Sequence, residues 1–373
     1  MVDVMGILAG RGAASLDVDY YFLEHRGGGA SARLGCAAGE AATSEAGANV
    51  TAAEWPACLA EMKQKWTEEG LKQFTTTNAA HDLAAVIQAT RAASQKTFVY
   101  GVSYGTYWAH RYIQVTDRPP TGLILDSMVP PDEQYLSNFE RQFDPVGKRL
   151  AAMCPSQEVC RTRFPADVWQ TWSSLITRQR TEPVCAGTKF EPGDLRIISA
   201  VMLQQNLLNS QIPALLARFQ RCTAADVTAI NTFADNLLRL LGQGLFAQAD
   251  DAGKFSQGLY SNVAFGELWP NPPPTRDALA KDIAAAVIGT GGALEQADLY
   301  DTWPRYTPDS YVRQWMSTDV ALLMLNGDLD VQTPVETAEL YKPRYTKPGQ
   351  TFVKVPNGNH GVVFQSQVGS GLA

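Results

Sequence analysis

With 373 residues, 45% hydrophobic and 18% charged, the chain has room for a large α/β domain carrying an inserted subdomain, or for two modest domains, and is too apolar for a disordered protein. A formal net charge of −7 without any run of Lys or Arg argues against nucleic acid as a partner, because phosphate binding needs a basic stripe. No apolar run is long enough to span a bilayer.

In chain order, the opening residues Met-Val-Asp-Val-Met-Gly offer neither the basic nor the apolar region of a signal peptide. A short apolar run at 20–23 reads as a buried strand. Asn49-Val50-Thr51 is a glycosylation sequon that matters only in a eukaryotic source. Residues 78–93 read as a helix with Leu83, Val86 and Ile87 on its apolar side. Runs at 97–100 and 122–125 predict two more strands, with a helix over 106–114 between them. From about 130 to 308 no convincing strand occurs. Helices are predicted at 139–154, 165–178, 194–219, 224–245 and 275–287, and the Pro-rich stretch 270–274 breaks the pattern. Strands return at 320–325 and 351–355. Strands alternating with helices predict an α/β fold with a doubly wound, mostly parallel sheet. The helical block reads as an inserted cap. The expected division is a core of 1–130 and 309–373 with a helical cap at 131–308.

The strand at 97–100 runs into Gly101-Val102-Ser103-Tyr104-Gly105, and a helix follows. This is G-x-S-x-G in its working context of strand, sharp turn and helix, which strains the serine backbone and presents the hydroxyl at a helix N-terminus. Gly101 and Gly105 are expected to relieve crowding in the turn. Ser103 is therefore the candidate nucleophile, and the Tyr104 N–H, next in the chain, a candidate oxyanion donor.

A serine hydroxyl needs a base. Of the four histidines, His110 lies on the helix after the turn, His81 has no motif around it, and His25 follows an early strand. His360 stands in Asn357-Gly358-Asn359-His360-Gly361, directly after the last strand, where the chain order Ser, acid, His of an α/β hydrolase places the base. The acid should lie in the loop after 320–325, which contains both Asp328 and Asp330. Asp126 is a third candidate. This chemistry asks for no cofactor, and no Cys or His group has metal-ligand spacing.

Six cysteines without a C-x-x-C pair point to disulfides and an oxidising compartment. Proximity within one subdomain selects Cys36 with Cys58, Cys154 with Cys160, and Cys185 with Cys222 from the 15 connectivities that six cysteines allow.

The chain resembles the tripeptidyl- and prolyl-aminopeptidase-like branch of the α/β hydrolases. Four segments carry the likeness: His25-Arg26-Gly27 with Ser31 and Cys36 beyond it, the stretch 75–83, the G-x-S-x-G turn, and the terminal Gly-Asp-Leu-Asp-x-x-Thr-Pro and Asn-His-Gly segments. They span most of the chain outside the cap. The resemblance favours Asp330 as the acid, because there the aspartate two residues ahead of Thr-Pro is the triad member. It implies peptide substrates cut from a free N-terminus, outside the cytoplasm, in an extracellular or periplasmic setting.

The sequence departs from that family in lacking an apolar strand and Gly-Gly-Pro-Gly-type loop ahead of His25. Residues 5–16 look like the helix after that loop, and Glu24 stands where Asp is commoner. The expectation that follows is an N-terminally incomplete chain with one oxyanion donor missing and weak turnover. An exopeptidase also needs an anion for the substrate ammonium, and Glu267, amid apolar and aromatic residues of the cap, is the candidate. The alternatives are a carboxylesterase acting on small esters with the same triad, or a catalytically silent chain.

Overall fold

The computed structural model describes residues 18–365 except 42, 46–48, 134, 165–166 and 243–255. The expected helix at 5–16 lies outside them. The chain divides into two compact units: Met1–Gln134, Gly253–Trp269 and Thr302–Ala373 form one, and Tyr135–Ala252 with Pro270–Asp301 the other.

The first unit is built on a parallel sheet of β1 (Phe98–Val102), β2 (Gly122–Asp126), β3 (Ala321–Gly327) and β4 (Gln350–Val355), in that order. The strand cores are rich in β-branched and bulky apolar residues, as expected of a sheet covered on its faces. Register pairs Val102 with Asp126, Asp126 with Leu325, and Gly327 with Val355, so all four strands end along one edge. Parallel neighbours need crossovers. That from β1 to β2 carries a helix, Tyr104–Val115, and that from β2 to β3 contains the whole second unit.

Alternation along the strands sorts the core into two layers. Leu123, Leu125, Leu322 and Met324 face Ala80, Ala109, Tyr112 and Ile113, together with Tyr341 and Tyr345. The opposite face carries Tyr100, Ile124, Leu323 and Leu325 against Val362, Val363 and Phe364. Full burial of each Leu contributes roughly 1.5–3 kcal/mol.

The longer helices of this unit are α1 (Trp55–Leu71), α2 (Thr76–Thr90), the sheet helix α3 (Tyr104–Val115) and α4 (Gln257–Glu267). Thr75 caps α2 by accepting from Asn78 N at 3.1 Å, and Ser256 caps α4 by accepting from Leu259 N at 2.8 Å. The α4 helix is buried on nearly every side. Its glycines let it pack that tightly, since a Cβ on Gly258 would stand 2.7 Å from the Leu34 carbonyl oxygen, and one on Gly266 would collide with the Tyr306 ring. No helix is expected here from the sequence, and its residues fall in the expected cap at 131–308, but they belong with the sheet. Tyr306 and Trp303, which bond to α4, and Arg313, which donates to the Trp269 carbonyl just beyond it, belong there too.

The second unit is helical, with no strand among its described residues. Trp172, Phe143, Leu216 and Phe219 are buried in it. The helix expected over 194–219 is three, Asp194–Leu203, Asn206–Asn209 and Ile212–Arg221, because Pro213 must sit in a first helical turn. Residues 20–23, expected as a strand, form none; they pair with no neighbour, and Tyr20 and Tyr21 remain in solvent. The three disulfides are Cys36–Cys58, Cys154–Cys160 and Cys185–Cys222, as expected, the first in the sheet unit and the others in the helical one.

Candidate active site

The strand edge gathers the candidate residues. Ser103 follows β1 directly with φ 55° and ψ −127°, a conformation a β-carbon resists. It is over-determined by its neighbours. Ser103 N donates to the Asp126 carbonyl at 2.9 Å, and the Ser103 carbonyl accepts from Thr106 N at 2.9 Å and Thr106 Oγ1 at 2.7 Å. The glycines divide the work unequally. A Cβ on Gly101 would collide with the Gly105 carbonyl, whereas one on Gly105 meets nothing. Tyr104 opens α3, so its N–H is one of the helix's unpaired donors beside the serine.

Asp330 and His360 come together from the loops after β3 and β4. His360 Nδ1 lies 3.0 Å from Asp330 Oδ2 and 3.1 Å from Oδ1. Both side chains are buried. The carboxylate also accepts from Gln332 N at 2.8 Å, Thr333 N at 2.9 Å and Thr333 Oγ1 at 2.7 Å. Burial alone would raise the Asp330 carboxyl, but the facing His360 and these donors hold it below its usual value. Burial likewise opposes charge on His360, yet the Asp330 carboxylate outweighs it and lifts the imidazole above its ordinary value. With Nδ1–H donating to Asp330, the neutral ring carries its free lone pair on Nε2. Asp328 faces elsewhere: its Oδ1 accepts from Asn357 N at 2.7 Å.

The two loops interlock. A Cβ on Gly327 would collide with the Gly358 carbonyl, and Leu329 N donates to that same carbonyl at 2.9 Å. Asn326 Nδ2 holds the Thr333 carbonyl at 2.9 Å. The next residue after His360 reaches the strand of the serine, where a Cβ on Gly361 would stand 3.7 Å from Val102 Cγ2. No hydrogen bond joins Ser103 to His360 among the described residues; such contacts commonly tighten only around substrate. Thr333 is a contact that sequence reasoning passed over, although it stands in the quoted Asp-x-x-Thr-Pro.

Glu267 requires a correction. It was expected to offer a free anion to substrate, but it is 2% exposed and saturated within the protein. Oε1 accepts from Thr76 N at 3.0 Å and Tyr306 Oη at 2.7 Å, and Oε2 from Tyr107 Oη at 2.9 Å and Arg111 Nη2 at 3.0 Å. A carboxylate offers about four lone-pair sites, and all are occupied. Glu267 therefore ties α4 to α2 and α3, and has no site left for an ammonium group. Two of the other histidines have partners away from the triad: His110 Nε2 accepts from Met316 N at 2.8 Å, and His25 Nε2 lies 3.0 Å from Tyr104 Oη. The turn after His25 is closed by its own backbone, with Gly28 N donating to the His25 carbonyl at 2.9 Å.

A strained serine after one parallel strand, with an aspartate and a histidine after later strands at the same edge, is the arrangement of the α/β-hydrolase fold. Among the described residues no three His, Cys, Asp or Glu side chains converge as a metal site, and no helix is long and apolar enough to cross a membrane. No family model and no curated protein matches the chain. Among solved structures it is similar to a thermophilic esterase from Thermogutta terrifontis with malate bound, at 16% identity and a TM-score of 0.28 over 80% of this chain and 70% of that one. It is also similar to the juvenile hormone epoxide hydrolase of the silkworm Bombyx mori, at 12% identity and a TM-score of 0.27 over 80% and 57%. At these scores neither likeness bears on what the chain does.

Proposed function

We propose that the chain is a serine hydrolase that cleaves a carbonyl substrate through an acyl-enzyme on Ser103. The observation that carries this reading is the buried Asp330 carboxylate on His360 Nδ1, delivered to the same sheet edge as the strained Ser103. In this mechanism His360 Nε2 takes the Ser103 proton as Oγ attacks the carbonyl carbon. Asp330 holds the tautomer and stabilises the imidazolium. The Tyr104 N–H meets the oxyanion. His360 then returns the proton to the leaving group, and water repeats the sequence to free the enzyme.

The leaving group divides two readings. Release of residues or short peptides from free N-termini, outside the cytoplasm, rests on the resemblance carried by the Asp-x-x-Thr-Pro and Asn-His-Gly segments. The saturated state of Glu267 removes the anchor that reading had for the substrate amine, and so favours a carboxylesterase. A panel of aminoacyl- and tripeptidyl-arylamides, each free and N-blocked, set against short-chain esters separates the two. Turnover of the free arylamides alone supports the exopeptidase, and turnover of esters alone supports the esterase. Fluorophosphonate labelling that is lost in Ser103→Ala supports the shared mechanism; no label on Ser103 in the unaltered chain refutes it.

A further inference from the structure

Asp126, the last residue of β2, is fully buried yet has no part in the mechanism above. Its main-chain carbonyl holds Ser103 N. Its carboxylate faces the other way along the site. Oδ1 accepts from Val362 N at 2.8 Å and Ser127 Oγ at 3.2 Å, and Oδ2 from Val363 N at 3.0 Å and Tyr100 Oη at 2.8 Å. Ser127 Oγ in turn accepts from Gly361 N at 2.8 Å. The three N–H groups immediately after His360 are thus all held by two adjacent residues at the end of β2. Tyr100, on the serine's own strand, packs edge-on against Phe364 at 5.6 Å between ring centroids.

Two donors on each oxygen is the pattern of an ionised carboxylate. A buried charge costs several kcal/mol unless matched, and an apolar residue could fill the space. The feature that an apolar residue could not reproduce is the set of ties across three strand ends. We infer that Asp126 is a positioning residue for the hydrolysis, fixing the His360 loop to the strand that carries Ser103 and setting a second negative charge near the imidazole. This rests on the serine-hydrolase reading. The titratable groups acting on His360 are Asp330 from the loop after β3 and Asp126 from β2, while Tyr100 faces Asp126 from β1.

The test is the rate at which a fluorophosphonate labels Ser103, measured across pH in the unaltered chain and in Asp126→Asn. This probe needs no knowledge of the natural substrate. Asn cannot accept from two N–H groups on different atoms, so the His360 loop should shift. The labelling rate should fall by on the order of a hundredfold, the usual cost of a misplaced catalytic group. Loss of a negative neighbour also makes the imidazolium easier to deprotonate, so the acid limb should move to lower pH. A purely structural role would leave that limb in place. A variant with unaltered rate, or with an unmoved acid limb, overturns the inference. Should Asp126→Asn not fold, Ser127→Ala frees the Gly361 N–H and removes one donor from the Asp126 carboxylate while leaving its bonds to Val362 N and Val363 N in place; a slower labelling rate there supports the inference and an unaltered rate overturns it. An unaltered chain that takes no label at Ser103 takes down the serine-hydrolase reading and this inference together, whereas a labelled chain with an indifferent variant refutes this inference alone.

Discussion

Replacing Glu267 with Gln should cost stability and leave amine recognition untouched. Glu267 and Arg111 are 2% and 1% exposed, and their ion pair spans 3.0 Å. Burial opposes the charge on Arg111, but Glu267 restores and exceeds what is lost, so the guanidinium stays protonated. In Gln one oxygen becomes an NH₂ group that must face two donors, either Thr76 N and Tyr306 Oη or Tyr107 Oη and Arg111. Arg111 keeps neutral partners in Thr77, Tyr107 and Gln114, but its remaining carboxylate among the described residues is Asp309, at 3.9 Å and partly in solvent. Removing one partner of a buried pair costs about 3–5 kcal/mol, whereas replacing both with apolar groups often costs little. For a unit of this size that corresponds to a drop in Tm of roughly 10 °C. Thermal and urea denaturation followed by circular dichroism measure it. Parallel kinetics on free and N-blocked substrates should show equal effects on both. The double variant Glu267→Gln with Arg111→Met should regain much of the loss. An unchanged Tm together with a KM increase confined to free-amine substrates would refute this reasoning and restore Glu267 as the amine anchor.

Within the loop after β3, Asp330→Asn should cost several orders of magnitude in kcat, since it removes the tautomer lock. Asp328→Asn should cost little, because among the described residues the Asp328 carboxylate holds Asn357 N and does not reach His360; the reverse order would overturn the assignment. The pH profile has a defined sign: His360 must be neutral to take the proton and its pKa is raised, so the acid limb of kcat/KM should lie above the ordinary histidine value of 6.5. A midpoint below that value would contradict the Asp330 contact. Gly101→Ala should abolish folding or activity, because its Cβ meets backbone that cannot yield, while Gly105→Ala should keep the stability of the unaltered chain in a denaturant titration. Equal sensitivity at the two glycines would show that the turn is not built as described.

What could be read from the sequence was local. Each of the four strands lies within two residues of an apolar run, and the elbow is a contiguous pattern of strand, Gly-x-Ser-x-Gly and helix. Asp330 was separable from Asp328 only through resemblance; the structure adds the physical reason, since Thr333 and the backbone of 332–333 wrap one carboxylate and not the other. The misses are non-local. Nothing near Glu267 in sequence announces Thr76, Tyr107 or Arg111 as its partners. Helix α4 went unread within the expected cap, because small-residue packing on all sides has no periodicity of its own. The α1 helix, Trp55–Leu71, went unread, and its apolar residues form a weak stripe. Asp126 ends its strand as many aspartates do, and only the folded chain brings residues 361–363 to it.

The register of β2 on β3 carries a consequence for how the chain folds. Gly122 must find Ala321 across a span of about 200 residues, a closure whose entropic cost is roughly 5 kcal/mol for a flexible loop. Two disulfides fall inside that span, but Cys154–Cys160 and Cys185–Cys222 close only short stretches of it and do not shorten the search much. The effective shortcut is the return of the chain to the sheet unit at Gly253–Trp269. Once Glu267 of α4 bonds to Thr76, Tyr107 and Arg111, the closure still to be made to Ala321 spans about 50 residues instead of about 200, and the sheet edge with Ser103, Asp330 and His360 assembles after it.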